Sequence, residues 1–403
     1  MRRTQTPGAL DLAPQKVRGV QAAVLDWYRR EHRDLPWRRT RDPYAILVSE
    51  VMLQQTQVDR VLPKYAEFLE RYPTLAALAA APRADVIRTW APLGYNLRAV
   101  RLHEIARQAV ERCGGALPAT RDGLLSLKGI GRYTAAAVAC FAYGAAEAVL
   151  DTNVRRVLGR IFAAEAPGAQ TDDRVGWRLA AAVLPRSGTL GQGPGTWGDA
   201  PAGVPAGVVA ARAQLGPAPH ADGPTAERDT ASAAYQAYQW NQALMDLGAT
   251  ICVARAPRCL LCPAQAWCSA RAAWLGTQPE PQQPLRLVAE RRAAYATSGR
   301  PGAAPAAAAP PRARAATTRR TAAAPPERFE GSRRWYRGRI VDVLRALPPG
   351  VTVTLAELGP RVKPDVAPDD LAWLSDIARA LARDGLIDLQ ERQDGAVTLA
   401  LPA

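Results

Sequence analysis

The chain has 403 residues and 52 Lys and Arg against 37 Asp and Glu, a formal net charge of +15. That length allows two or three domains with buried cores, and the charge points to a polyanionic partner, nucleic acid first, although free use of arginine in an Ala-, Arg-, Gly- and Pro-rich sequence would raise it too. No stretch approaches the roughly 18 consecutive apolar residues of a membrane span, and six cysteines are too few for a disulfide scaffold.

The opening residues, MRRTQTPGALDLAPQ, carry two arginines but no apolar core of a signal peptide. Disorder is expected through residue 16, with the chain inside the cell. From Val17 to Pro185 apolar residues recur at helical spacing. Val20, Val24, Leu25 and Tyr28 form one face; Leu62, Tyr65, Phe68 and Leu69 another; Ile105, Ala106 and Val110 a third. Strand-like alternation is nearly absent, so this body is all-α.

Within it, Glu50 stands among Val48, Val51, Met52 and Val58. An isolated glutamate on a helix is usually solvated, but an acid in so apolar a run is a candidate for burial. Burial would raise its pKa and suit it to donate a proton near neutrality.

Farther on, Leu127-Lys-Gly-Ile-Gly-Arg-Tyr-Thr-Ala135 sets Gly129 and Gly131 before a helical run from Tyr133 to Phe141. Glycines there let backbone N–H groups approach an anion at a helix N-terminus. With a preceding helix over about Arg121 to Leu127 they make a helix-hairpin-helix. Such a pair is often an ordinary helix-helix turn; in a basic all-α chain a phosphate contact through Lys128, Gly129, Gly131 and Arg132 is the better reading. Asp151 then lies between an apolar run and a new helix, where a carboxylate serves as an N-cap. The same carboxylate could face a cleft and stabilise positive charge on a sugar, and the two roles are compatible.

A Gly-, Pro- and Ala-rich stretch over residues 186–228 has no sustained period and reads as a surface insertion. Helical patterning resumes at Ala231 and runs through Gly248 into Cys252-x6-Cys259-x2-Cys262-x5-Cys268. Four thiolates so close can converge on one centre. A tetrahedral zinc usually takes paired C-x2-C knuckles, whereas this asymmetric spacing suits a [4Fe-4S] cluster; both stay open on spacing alone. Cys113 and Cys140 are expected to be small buried hydrophobes.

Residues 277–328 are Ala-, Pro- and Arg-rich and read as a disordered basic linker. In residues 329–403 a helix is expected over Arg333 to Leu347 and another on Leu371, Leu374, Ile377 and Leu381. A hairpin around Asp394-Gly395 should close the chain. The result is a small α+β winged-helix-like domain, either functional or a structural cap.

The chain resembles the adenine DNA glycosylases of the MutY type, within the endonuclease III helix-hairpin-helix superfamily. The matching stretches are Leu35-Pro-Trp-Arg38, Asp42-Pro-Tyr44, Ser49 to Val58, Leu93-Gly-Tyr95, Leu127 to Ala135, Val149 to Val157, Asn241 to Gly248 and the four cysteines. The resemblance implies a helix-hairpin-helix glycosylase fold over residues 17–276, with a [4Fe-4S] cluster on Cys252, Cys259, Cys262 and Cys268. It implies a monomer that acts on double-stranded DNA and hydrolyses the N-glycosidic bond of adenine mispaired with 8-oxoguanine or guanine. Glu50 would protonate the adenine ring and help position water. Asp151 would stabilise the oxocarbenium-like sugar, supported by Tyr133 and Asn153. Trp37, Arg38 and Gln242 match adenine-pocket positions, and Gln55 and Tyr95 match residues that wedge into the base stack.

Tyr133 stands where bifunctional relatives carry a lysine nucleophile, so a monofunctional enzyme is expected. The sequence departs from the family at Asn96-Leu97, where a second tyrosine is common, and at Thr152, where glycine is common. The family's Nudix-like reader of 8-oxoguanine is not recognisable after residue 277. Two rival readings are a thymine or uracil mismatch glycosylase, which shares the tyrosine and the cysteines, and a non-catalytic iron-sulfur DNA-binding protein. The Met52-Leu-Gln-Gln-Thr56 run with Gln242 favours adenine over the first, and two acids placed in their motifs speak against the second.

Overall fold

A computed structural model describes residues 10–185, 225–276, 329–393 and 395–403. The insertion expected from 186 and the linker expected over 277–328 therefore lie outside the described residues, except that residues 225–228 belong to a helix.

The larger body is helical. In chain order it holds α1 (Pro14–Glu31), a single 3-10 turn (Pro36–Arg38), α2 (Pro43–Leu53), α3 (Val58–Arg71), α4 (Leu75–Ala80), α5 (Arg83–Trp90) and α6 (Leu97–Arg112). There follow α7 (Arg121–Leu125), α8 (Arg132–Phe141), α9 (Thr152–Ile161), α10 (Asp173–Ala182), α11 (Thr225–Thr250) and α12 (Ser269–Gly276). Local chemistry fixes several starts. Asp42 caps α2 by accepting from Tyr44 N–H, with Pro43 in its first turn; Thr74 and Thr120 cap α4 and α7 through their hydroxyls.

α2 is apolar on every side, and all of Tyr44 to Met52 is buried. Such a helix belongs in the centre of a protein, and α3, α6 and α8 pack around it. α11 crosses behind, against α1, α8 and α9, while α4 and α5 lean on α6. No solvent-facing polar stripe interrupts Tyr44 to Met52, so Glu50 enters the core with its helix.

A second, smaller core follows: α13 (Arg333–Arg345), β1 (Val353–Thr354), α14 (Leu355–Val362), α15 (Pro368–Arg383), β2 (Asp388–Glu391) and β3 (Val397–Ala400). The strands form an antiparallel sheet in the order β1-β3-β2, with Val353 and Leu389 both opposite Leu399. Helix, strand, two helices and a hairpin make the winged-helix-like arrangement. Its apolar centre, including Ile340, Leu344, Leu358, Ile377, Leu381 and Leu399, also takes in Ile87 from α5 and Val100 from α6.

Some boundaries differ from the sequence expectation. α1 begins at Pro14, inside the stretch expected to be disordered to residue 16, because proline is favoured in a first helical turn. α11 begins at Thr225, ahead of Ala231. Val110 is exposed, since the inward face of α6 runs through Leu102, Ile105, Ala106 and Ala109. The hairpin is closed by Arg392 and Ala396, with Gly395 at φ +80°; Asp394 lies outside the described residues. Among the described residues no helix is long and apolar enough to cross a membrane.

Candidate active site

Glu50 is 6% exposed in the middle of α2. Tyr133, in the first turn of α8, donates its hydroxyl proton to Glu50 Oε2 at 2.6 Å. Burial pushes the Glu50 carboxyl up to about 7; the Tyr133 hydrogen bond opposes this, the charge of Asp151 adds to it, and Arg38 opposes it. Burial and the two neighbouring acids hold the Tyr133 phenol well above its ordinary value, so it stays a neutral donor.

Asp151 is the N-cap of α9. It accepts from Val154 N–H at 2.6 Å through Oδ1 and from Asn153 Nδ2 at 2.9 Å through Oδ2. Burial raises its pKa, opposed by the Val154 and Asn153 donors and by Arg156. The two carboxyls thus share a site on α2 and α9, with Tyr133 hydrogen-bonded to one and electrostatically coupled to both. Asn153 in turn accepts from Arg156 Nη2 at 2.8 Å, and the same guanidinium donates to Gly248 O and Cys252 O. Gly248 is required by this contact: a Cβ there would stand 2.6 Å from Asn153 Cβ.

The hairpin between α7 and α8 presents Lys128, Gly129, Gly131 and Arg132 to solvent. Gly129 has φ +107°, where glycine is favoured, and Gly131 precedes the α8 N-terminus, whose first N–H groups have no partner inside the helix. Buried Gln108 brackets Lys128, accepting from its N–H at 2.8 Å and donating to its carbonyl at 3.1 Å.

The positions matched to a base pocket divide. Trp37 is buried edge-on to Tyr65, and Gln242 is buried on α11. Arg38 is engaged: its Nη1 and Nη2 donate to the two oxygens of Asp246 at 2.8 and 2.7 Å. Burial pushes Asp246 up, but Arg38 and Arg33 overcome it and hold the carboxyl below its ordinary value.

Gln55 and Tyr95, the two matched wedge residues, are also the two non-glycine residues with positive φ among those described, +56° and +47°. Both turns are gathered by Arg98. Its Nη1 donates to the carbonyls of Val51, Met52 and Gln54, and its Nη2 to Thr56 Oγ1 and, at 3.2 Å, to Gly94 O.

Sequence reasoning did not single out Arg98, Asp246, Gln108 or Arg156. The signal that marked Glu50, a polar residue in an apolar run, was present for Asp246 between Met245 and Leu247. Each of the others has at least one partner twenty or more residues away.

The four cysteines flank a loop carried between α11 and α12 and clasped to α9. Arg160 donates to Cys252 Sγ at 3.4 Å and to the carbonyls of Val253 and Ala254. Burial pushes the Cys262 thiol up to about 11, and Cys252, Cys268 and Cys259 press it the same way. Among the described residues no three His, Cys, Asp or Glu side chains stand where they could hold one metal ion. Cys140 is fully buried and Cys113 partly so.

A family model described as HhH-GPD superfamily base excision DNA repair protein matches residues 48–179. The chain is 35% identical over 386 residues to the adenine DNA glycosylase of Mycolicibacterium smegmatis, covering 94% of each. It is 38% identical over 266 residues to human adenine DNA glycosylase, covering 64% of this chain and 40% of that one. Similarity extends to a thymine/uracil-DNA glycosylase of Pyrobaculum aerophilum, 31% identical over 258 residues, 63% of this chain and 92% of the other.

Proposed function

The chain belongs to the adenine DNA glycosylase branch of the HhH-GPD base excision repair superfamily, and we propose that it hydrolyses adenine from duplex DNA opposite 8-oxoguanine or guanine without cutting the strand. The observation that carries this reading is the buried pair of acids: Glu50, pushed up to about 7 and hydrogen-bonded by Tyr133, beside Asp151 on an N-cap.

The chemistry runs as follows. Glu50, protonated near neutrality, gives its proton to the adenine ring. The glycosidic C–N bond breaks with its electron pair leaving on adenine, and positive charge develops on the sugar. Asp151, whose ionised form the Val154 and Asn153 donors favour against the burial that raises its pKa, stabilises that charge. Water adds to the anomeric carbon and returns a proton to Glu50. Tyr133 has no amine with which to attack the sugar, and its hydroxyl is committed to Glu50, so no Schiff-base intermediate and no strand cleavage through one is expected. The base must leave the stack to reach these acids, and Gln55 and Tyr95 on their clamped turns are placed to fill its space. Lys128, Gly129, Gly131 and Arg132 hold the backbone.

Cys252, Cys259, Cys262 and Cys268 would hold a [4Fe-4S] cluster. What supports the cluster over a tetrahedral zinc is the donor set, four thiols in one short loop with asymmetric spacing and a single C-x2-C. The cluster would cross-link the loop and take no part in hydrolysis, which transfers no electron. Arg255 and Arg258, exposed on this loop, extend the basic surface.

Single-turnover excision on duplexes carrying A:8-oxoG, A:G, T:G and U:G tests the reading. Release of adenine from the first two supports it. Release of only thymine or uracil would assign the chain to the activity named for its Pyrobaculum relative.

A further inference from the structure

The C-terminal domain is fused to the element that carries Tyr95. Ile87 and Val100, from α5 and α6, complete its apolar core. Pro402 O accepts from Ala84 N–H at 3.0 Å, and Gly385 comes so near that a Cβ would stand 3.2 Å from Arg83 Nη1. The residues that follow Tyr95 are used in this contact. Asn96 Oδ1 accepts from Arg345 Nη2 at 3.1 Å, and Leu97 packs against the C-terminal core. The domain thus stands fixed beside Tyr95.

From that docking, α13 aims its first turn at Tyr95. The Arg334 guanidinium lies 4.3 Å from the centre of the Tyr95 ring, which is 44% exposed. Arg333 and Arg334 are exposed, and among the described residues neither is paired with a carboxylate. Elsewhere in the domain Arg337 pairs with Asp384, Arg345 with Asp342 and Arg379 with Glu391. Residues 329–403 carry ten basic and eleven acidic side chains, so the domain as a whole does not attract DNA. Its last helix, where a helix-turn-helix relative would read the major groove, holds Asp369, Asp370 and Asp376. Arg361, Arg383 and Arg392 are exposed as well, but the arginine that stands against the wedge residue is Arg334, with Arg333 beside it at the start of α13.

We propose that Arg333 and Arg334 make this domain a second DNA-contacting unit, which holds the phosphodiester backbone beside the mispair from the N-terminus of α13 and not from α15. The proposal rests on the reading of Tyr95 as a wedge in duplex DNA. The Arg334 guanidinium, stacked on Tyr95 in the free protein, is then within reach of the phosphates flanking the inserted ring.

The test is the affinity of full-length protein for a duplex in which 2′-fluoro-2′-deoxyadenosine, whose glycosidic bond persists, faces 8-oxoguanine. The R333A/R334A variant is compared with wild type and with R383A, an exposed arginine on α15. R333A/R334A is expected to weaken binding about tenfold and to lower the salt slope of log K by about 1 to 2. Its thermal unfolding should be close to wild type and its single-turnover rate at saturating enzyme within about threefold, since neither arginine contacts Glu50, Asp151 or Tyr133. Unchanged affinity and slope, or a larger loss in R383A than in R333A/R334A, overturns the proposal. A wild type that binds this duplex but releases no adenine from its hydrolysable counterpart would sink the proposed activity and leave the arginine contact standing.

Discussion

Tyr133 reaches across from α8 to place its hydroxyl 2.6 Å from Glu50 Oε2 on α2. A phenol held well above its ordinary pKa keeps its proton to donate to Glu50, so it orients the carboxyl and leaves its other oxygen to address the base. Glu50→Gln keeps the shape and the acceptor but cannot deliver the proton. Its single-turnover excision rate on A:8-oxoG should fall by about 10² to 10⁴, with duplex affinity close to wild type.

The pH profile carries the same signature. The acid must be protonated, and the Glu50 carboxyl sits at about 7, so the wild-type rate should fall about tenfold per pH unit above that value. On the acid side the rate falls as Asp151, itself raised by burial, takes up a proton. A rate that keeps rising from pH 7 to 9 at saturating enzyme would remove Glu50 from its role.

Glu50→Gln should shift stability the opposite way to activity. Glu50 is raised from 4.5 to about 7 on folding, so the native state binds the proton more tightly. Its contribution is full below about pH 4.5 and is lost as pH rises to about 7. Glu50→Gln escapes that loss and is expected to unfold at higher temperature than wild type at pH 8, by an amount bounded on the order of 3 kcal/mol, with the gap closing at pH 5. Equal melting temperatures at both pH values would contradict the buried charge.

Gly248→Ala tests the contact between α11 and α9. The added methyl would lie 2.6 Å from Asn153 Cβ and 3.2 Å from its Cα, so the helices must part and Asn153 must shift under Asp151. Overpacking of this kind costs about 1 to 3 kcal/mol, and excision should fall at least tenfold although no reacting group is changed. A wild-type rate with wild-type stability would mean that α11 yields without disturbing Asn153.

Arg98→Lys removes a fork that serves Val51, Met52, Gln54, Thr56 and Gly94 together. One ammonium cannot satisfy acceptors on two turns at once. The turns of Gln55 and Tyr95 should loosen, seen as faster amide exchange at both, with mispair affinity reduced more than affinity for undamaged duplex. Equal loss on both duplexes would reduce Arg98 to a general stabilising residue.

Cys259→Ser should give a protein without the visible absorbance of an iron-sulfur centre and with weakened DNA binding. Because Arg156 and Arg160 tie this loop to α9, excision should decline as well. A folded, fully active variant lacking iron would separate the loop from the site.

Sequence alone determined the elements and the chemistry available to them. Helical periodicity marked the body, and motif spacing marked the two acids, the hairpin glycines and the four cysteines, because these signals are local: a cap, a turn or a chelating loop needs only a few neighbouring residues. The tertiary structure decided what each group does with its surroundings. That Glu50 is buried enough to hold a proton, that Arg38 is spent on Asp246, that Arg98 gathers both wedge turns, and that the C-terminal domain docks beside Tyr95 all depend on partners brought together from distant parts of the chain. Desolvation and hydrogen-bond satisfaction are set by those partners, and no run of neighbouring residues encodes them.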